Sequence, residues 1–247
     1  LEEGKLSWKL LLPSMVAASV GYGVFFSLTG YVFGGGYVFP PYEQWRLIDL
    51  GYAVPLGLLG GLLGLLFIRL FRPMRRWADR HRSRPVPLAV LAGLVLGVVG
   101  AVFPVLLFSG DANIQDLIDD AAAMGAVMII AMAVLKVFVT ATCLALGWSG
   151  GYIFPSFFMG TALGLAVHQL LPFLPEIVCI VCVMSGVSVA LIKSPIALAL
   201  IIQVLFDVRL APIIAIAILA AFLLTYRTSL VERSEECSKP SPPRPHD

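Results

Sequence analysis

The stretch GWSGGYIFP, residues 147 to 155, places three glycines, a serine and a proline between two strongly apolar runs. Its side chains carry little chemistry beyond the Ser149 hydroxyl, so the backbone is the richer source. Glycine lets the chain turn where other residues clash. Pro155 suits the first turn of a new helix, where an N–H has no intrahelical acceptor anyway. A helix opening at Phe154 and Pro155 leaves the amides of Gly151, Tyr152 and Ile153 unpaired at its start. There the helix macrodipole amounts to about +0.5 of an elementary charge. Such a cluster attracts an anion without a formal cation, and can let it go again. A simple kink, or a loop between two spans, would use the same residues and bind nothing.

The serine offers a second chemistry. Gly147-Trp148-Ser149-Gly150 fits GxSG, which resembles the serine motif of the rhomboid intramembrane proteases. A serine nucleophile needs a base within hydrogen-bond reach. His168 lies about four turns along the following helix, about 20 Å away at 1.5 Å per residue. His81 precedes the motif and His246 is close to the C-terminus. None is spaced to serve Ser149, which leaves the protease as a remote alternative.

The elements that must position this stretch are membrane helices. The chain has 247 residues, 59% hydrophobic and 13% charged, with a mean hydropathy of +0.94. That excludes an ordinary soluble domain. Long charge-free runs mark spans of about 18 residues or more. These and nearly charge-free runs predict helices over Leu10–Phe33, Tyr52–Phe71 (with Arg69), Pro87–Phe108, Ala121–Leu146 (with Lys136) and Phe154–Leu171. Shorter ones are expected over Ile177–Leu191, Pro195–Phe206 and Pro212–Tyr226, as broken or tilted helices buried in protein. The acidic segment FSGDANIQDLIDD reads as a short amphipathic helix at the outer surface. Residues 1–230 form the membrane part, with about eight to ten helices in all, and 231–247 a disordered polar tail.

Seven arginines from Arg69 to Arg84 crowd the connection after the second span, which places that loop in the cytoplasm. Flanking spans argue against a nucleic-acid surface. Cys179 and Cys182 form a CxxC within an apolar helix and read as small buried hydrophobes; Cys143 lies in another span and Cys237 in the tail. No metal site and no cofactor are expected. Lys136 and Lys193 are expected to pair locally or hold helix ends, Asp207 and Arg209 to cap helices, and Phe157 and Phe158 to pack.

The ordered set of these segments resembles the second half of the CLC chloride channels and chloride/proton antiporters. Gly151-Tyr152-Ile153-Phe154-Pro155 is similar to that family's GxFxP-type segment, with Ile153 where phenylalanine is usual. FFMGTALG, MSGVSVALIKSP, the span carrying Lys136 and the turn Phe108-Ser109-Gly110 resemble its other segments. The resemblance covers residues 1 to about 228 and implies an all-α integral membrane protein with tilted and broken helices, the second half of an inverted repeat. It implies chloride transport, with Cl⁻/H⁺ antiport preferred and a passive channel for chloride or another small anion, such as fluoride or nitrate, as the alternative. The amides of Gly151, Tyr152 and Ile153 would bind the anion. Glu3, the second acid of Leu1-Glu2-Glu3-Gly4, resembles the family's internal proton-transfer glutamate. A solvated acidic pair at a helix end would explain the same residues.

By the same resemblance the protein is a homodimer in a bacterial inner membrane, its partners being chloride, protons and the lipid bilayer. The family's GSGxP and GxEGP segments, with their serine and gating glutamate, do not occur in these residues, so the chain is expected to be the C-terminal half of a longer transporter. The position matching the family's central tyrosine holds Val231, with Tyr226 nearby in another register.

Overall fold

Hydrocarbon leaves no water for unpaired backbone groups, so apolar runs close their hydrogen bonds within helices. The computed structural model describes residues 8–30, 37–42, 46–81, 83, 85–110, 113–226 and 228. These residues form α1 (Trp8–Thr29), α2 (Leu47–Arg80), α3 (Pro85–Val102), α4 (Ile114–Asp120), α5 (Ala126–Ala145), α6 (Ile153–Leu170), α7 (Glu176–Ile192), α8 (Pro195–Leu205) and α9 (Ala211–Thr225). There are 3₁₀ turns at Pro104–Leu106 and Val208–Leu210, and no strand among the described residues. Six of the helical segments are long and apolar enough to cross a membrane. The polar tail, 231–247, lies outside the described residues.

The chain divides into two compact units, Leu1–Val38 and Phe39–Asp247. In the first, α1 has exposed side chains from Leu12 onward. Its Ser27 and Thr29 hydroxyls donate to the carbonyls of Gly23 and Phe25, one turn back, at 2.7 and 2.8 Å. This is how a hydroxyl is satisfied in apolar surroundings.

The second unit is built around α7, whose residues from Ile177 to Leu191 are all buried. It packs against α2, α6 and α9, and α6 also packs against α5. Small residues make these approaches possible, as in other helix contacts made without a hydrophobic drive between lipid-facing faces. A Cβ on Gly57 would stand 2.6 Å from the Ala217 carbonyl oxygen, and one on Gly164 2.6 Å from Ile180 Cα. Gly60 faces the Val183 carbonyl, Gly160 the Met184 backbone, and Gly186 the Gly57 carbonyl, each with no room for a side chain. At the entrance to α2, Tyr42 Oη donates to the buried Asp49 Oδ2 at 2.7 Å. Burial, then that hydrogen bond, pushes the Tyr42 phenol above its ordinary pKa.

Several boundaries differ from the sequence expectation. The arginine loop is mostly helix: α2 continues to Arg80, so Arg69, Arg72, Arg75, Arg76 and Arg80 ride on its last turns, and Arg75 pairs with Asp79 at 3.4 Å. Arginine is a good helix former, and a helix need not end where its apolar part ends. The third span stops at Val102 rather than Phe108, because Pro104 cannot continue it and Phe103 ahead of it is extended (φ −129°, ψ 82°). The fourth starts at Ala126, after the short helix expected in the acidic segment. Of the shorter helices only α7 is fully buried. In α8 only Leu198 and Ile202 are buried, while Ile196, Leu200 and Val204 are exposed.

Candidate functional site

The break predicted at 147–155 is present and has a definite construction. α5 ends at Ala145, and Gly147 follows in a left-handed conformation (φ 100°). Gly147 N donates to the Leu144 carbonyl at 3.3 Å and Trp148 N to the Cys143 carbonyl at 3.1 Å. This is the paired closure of a Schellman motif, which satisfies the Cys143 and Leu144 carbonyls in the last turn of α5. The Trp148 indole then donates to the Ala89 carbonyl of α3 at 3.1 Å and anchors the break sideways.

Beyond Trp148 the accounting changes. α6 starts at Ile153, with Tyr152 before it and no side-chain cap. The first α6 amide to find a backbone acceptor is that of Ser156, bonded to the Tyr152 carbonyl at 3.0 Å. The amides of Gly150, Gly151, Tyr152, Ile153 and Phe154 donate to no described backbone carbonyl. The residues around them are exposed or half-buried, so these N–H groups are open. Behind them Ser156 Oγ donates to the Ile153 carbonyl at 2.6 Å and lies 2.9 Å from Ser188 Oγ of α7. With the Ser156 hydrogen so engaged, Ser188 is the donor between the two. That pair fixes the first turn of α6 to the buried central helix.

A cavity of about 230 Å³ opens at the break. Ser149, Gly150, Gly151 and Pro155 form one side. Leu96 of α3, Val139, Thr140, Cys143 and Leu144 of α5, Trp148, and Phe108 and Ser109 from the turn after α3 form the rest. No charged side chain is among the described residues lining it. The polar groups are hydroxyls and backbone, which suit a small anion that must leave again.

Of the residues expected at the site, Gly151 and Pro155 line this cavity. Tyr152, Ile153 and Phe154 sit at the start of α6 and are not among the residues lining it. Glu3, Val231 and His246 lie outside the described residues, and Tyr226 is exposed near the end of α9. Ser149 finds no histidine: His168 Nδ1 pairs with the Leu174 carbonyl at 2.8 Å and His81 Nδ1 with the Trp77 carbonyl at 2.9 Å, neither near the cavity. Neither described histidine is therefore placed to serve Ser149. Cys179 and Cys182 are buried free thiols, and no described group of three His, Cys, Asp or Glu could hold a metal.

Local roles are seen for Lys136, Lys193, Asp207, Phe157 and Phe158. Lys136 donates to the Leu106 and Phe108 carbonyls at 2.9 and 3.0 Å. Lys193 donates to the Thr225 carbonyl at 2.6 Å, and Asp207 accepts from Arg209 N at 2.8 Å. Phe157 and Phe158 are buried. Thr140 was not singled out from sequence. Its signal is spacing: Thr140, Cys143 and Leu144 fall at i, i+3 and i+4, one face of α5.

Residues 2–226 match the family described as voltage gated chloride channel. The chain is 27% identical over 222 residues to the ion-transport protein YfeO of Salmonella newport and to that of Salmonella agona. These matches cover 88% of this chain and 52% of each relative, so the chain spans about half the length of the curated relatives it matches. Among solved structures it is similar to a CLC-type fluoride/proton antiporter, with a TM-score of 0.73 and 20% identity, over 92% of this chain and 56% of that one. It is also similar to a slow cyanobacterial Cl⁻/H⁺ antiporter, with a TM-score of 0.61 and 21% identity, over 76% and 47% of the two chains. At these identities the structural likeness speaks to the fold.

Proposed function

The chain belongs to the voltage-gated chloride channel family, and from that premise we propose that it moves a small inorganic anion, chloride by preference, across a membrane in exchange for protons. The observation that carries this reading is the row of open amides from Gly150 to Phe154, at the start of an uncapped helix beside a cavity whose described lining residues carry no charge. Partial charges of that kind hold an anion without trapping it. The antiporters among the similar folds favour exchange over passive conduction, and one of them carries fluoride. Glu3 is the proposed proton carrier on the inner side, since a carboxylate in the membrane can pass protons when burial raises its affinity for them.

In this reading the protein performs no covalent chemistry and needs no cofactor; the anion is cargo. It works as a homodimer in a bacterial inner membrane, where the apolar faces of α8 and α9 meet lipid or the second subunit. Six apolar helical segments support a membrane location.

Deleting one amide without touching a side chain tests the site. Replacing Ile153 by its α-hydroxy acid converts the Tyr152–Ile153 peptide to an ester. A hydrogen bond to a charged partner contributes about 1.5–3 kcal/mol. The ester should therefore weaken chloride binding about 10- to 100-fold, read by calorimetry, with the melting temperature in detergent unchanged. An unaltered Kd would remove this amide from the site.

A further inference from the structure

Hydroxyls in the apolar helices tend to bond backward. Ser27, Thr29, Thr142 and Thr225 each donate to the carbonyl four residues back, at 2.7 to 2.8 Å. Hydrocarbon offers no water, and a bond of this kind keeps the hydroxyl satisfied.

Thr140 in the middle of α5 departs from this. The residue is only 8% exposed, yet its hydroxyl bonds neither the carbonyl one turn back nor any other described group. Thr161 and Ser185 also hold unbonded hydroxyls, but the oxygens of both are sealed inside the fold. The Thr140 oxygen is not among the sealed ones, and the residue lines the cavity at the helix break. Leaving a buried donor unmade is costly. The space that Thr140 faces is therefore where its partner belongs.

The rest of the cavity says what that partner is. Thr140 shares one face of α5 with Cys143 and Leu144, and both line the cavity as well. This face abuts the break: a Cβ on Gly150 would stand 3.6 Å from Leu144 Cδ2. Thr140 is one turn, about 6 Å, further along α5. A hydroxyl on α5 and the amides of Gly150 and Gly151 thus border the same space of about 230 Å³. The open groups at the start of α6 are N–H donors at the positive end of a helix, which favours an occupant that accepts and carries negative charge. A threonine hydroxyl can donate or accept, and towards such an occupant it donates.

We propose that Thr140 is a further anion-binding residue, whose Oγ1–H donates to the anion held by the amides of the break. This rests on the cavity being the anion site, and it adds a side-chain donor from α5 to a site otherwise made of backbone.

The test uses the full chain in detergent, with chloride affinity read by calorimetry and the melting temperature read without halide. Thr140→Val exchanges the hydroxyl for a methyl group. It should weaken chloride binding about 10-fold. Its melting temperature should be unchanged or raised, because no hydrogen bond within the protein is lost. Thr140→Ser keeps the donor and should retain most of the affinity. Where Thr140→Val yields no folded protein, Thr140→Ala removes the same hydroxyl and should show the same loss of affinity.

Two results overturn the proposal. One is a chloride affinity unmoved by Thr140→Val, the outcome if the hydroxyl meets only water. The other is an equal loss in Thr140→Ser and Thr140→Val, which would assign the effect to shape. If the Ile153 ester weakens binding while Thr140→Val does not, this inference fails and the amide site stands. If the unaltered protein binds no halide, both fail.

Discussion

Gly147 and Gly151 stand four positions apart in one glycine-rich stretch and do different work. Gly147 needs the left-handed region to close α5, and a side chain there is strained. Gly151 has no such backbone demand, and an added Cβ would meet no atom within 4 Å. Gly147→Ala should therefore destabilise the fold by about 1–2 kcal/mol, seen as a lower melting temperature in detergent. Gly151→Ala should leave melting unchanged but put a methyl group at the edge of the cavity, weakening chloride binding several-fold. Equal affinities for Gly151→Ala and the unaltered protein would mean that no anion uses that space. The stretch itself was legible in sequence, because three glycines and a proline inside apolar runs leave amides exposed. Ser109 was legible only as part of a turn. Its place across the cavity depends on Lys136 reaching two carbonyls about 30 residues earlier in the chain, and no local pattern encodes that reach.

The helices hold the break in place mainly through close backbone contact. α6 lies against α7 at Gly160 and Gly164, and Ser156 meets Ser188 one turn from the open amides. A methyl group at Gly160 would enter the Met184 backbone, which cannot yield as a flexible side chain does. Overpacking of that kind costs about 1–3 kcal/mol. Gly160→Ala should lower the melting temperature and, by tilting the start of α6, also weaken chloride binding. Gly97→Ala on α3, where the added Cβ has nothing within 4 Å, should do neither. An unchanged melting temperature for Gly160→Ala would show that α6 and α7 are less tightly apposed than this. Apolar length located most of these helices to within a few residues. It missed the continuation of α2 through its arginines, because charge marks the edge of hydrocarbon and not the end of a helix. It also overstated the burial of α8, since a short helix can be exposed along a face that lipid or another subunit covers.

For the whole molecule, exchange and passive conduction differ in one measurable respect. An antiporter placed in liposomes with an outward chloride gradient drives protons uphill; a channel cannot. We expect uphill proton movement, and we expect Glu3→Gln to abolish it while chloride flux persists. Proton coupling that survives the substitution would take Glu3 out of the mechanism. What the sequence alone determined was the class and the place of the break: a helical membrane protein and the position of the interruption. Those follow from local facts, since hydrocarbon demands paired amides and Gly and Pro say where pairing lapses. Only the tertiary structure decided which distant segments complete the cavity. α3, its following turn and α5 come together because Lys136 and Trp148 reach across tens of residues. Contacts of that range are set by how helices fit together, a property of the assembled fold that no single stretch of chain contains.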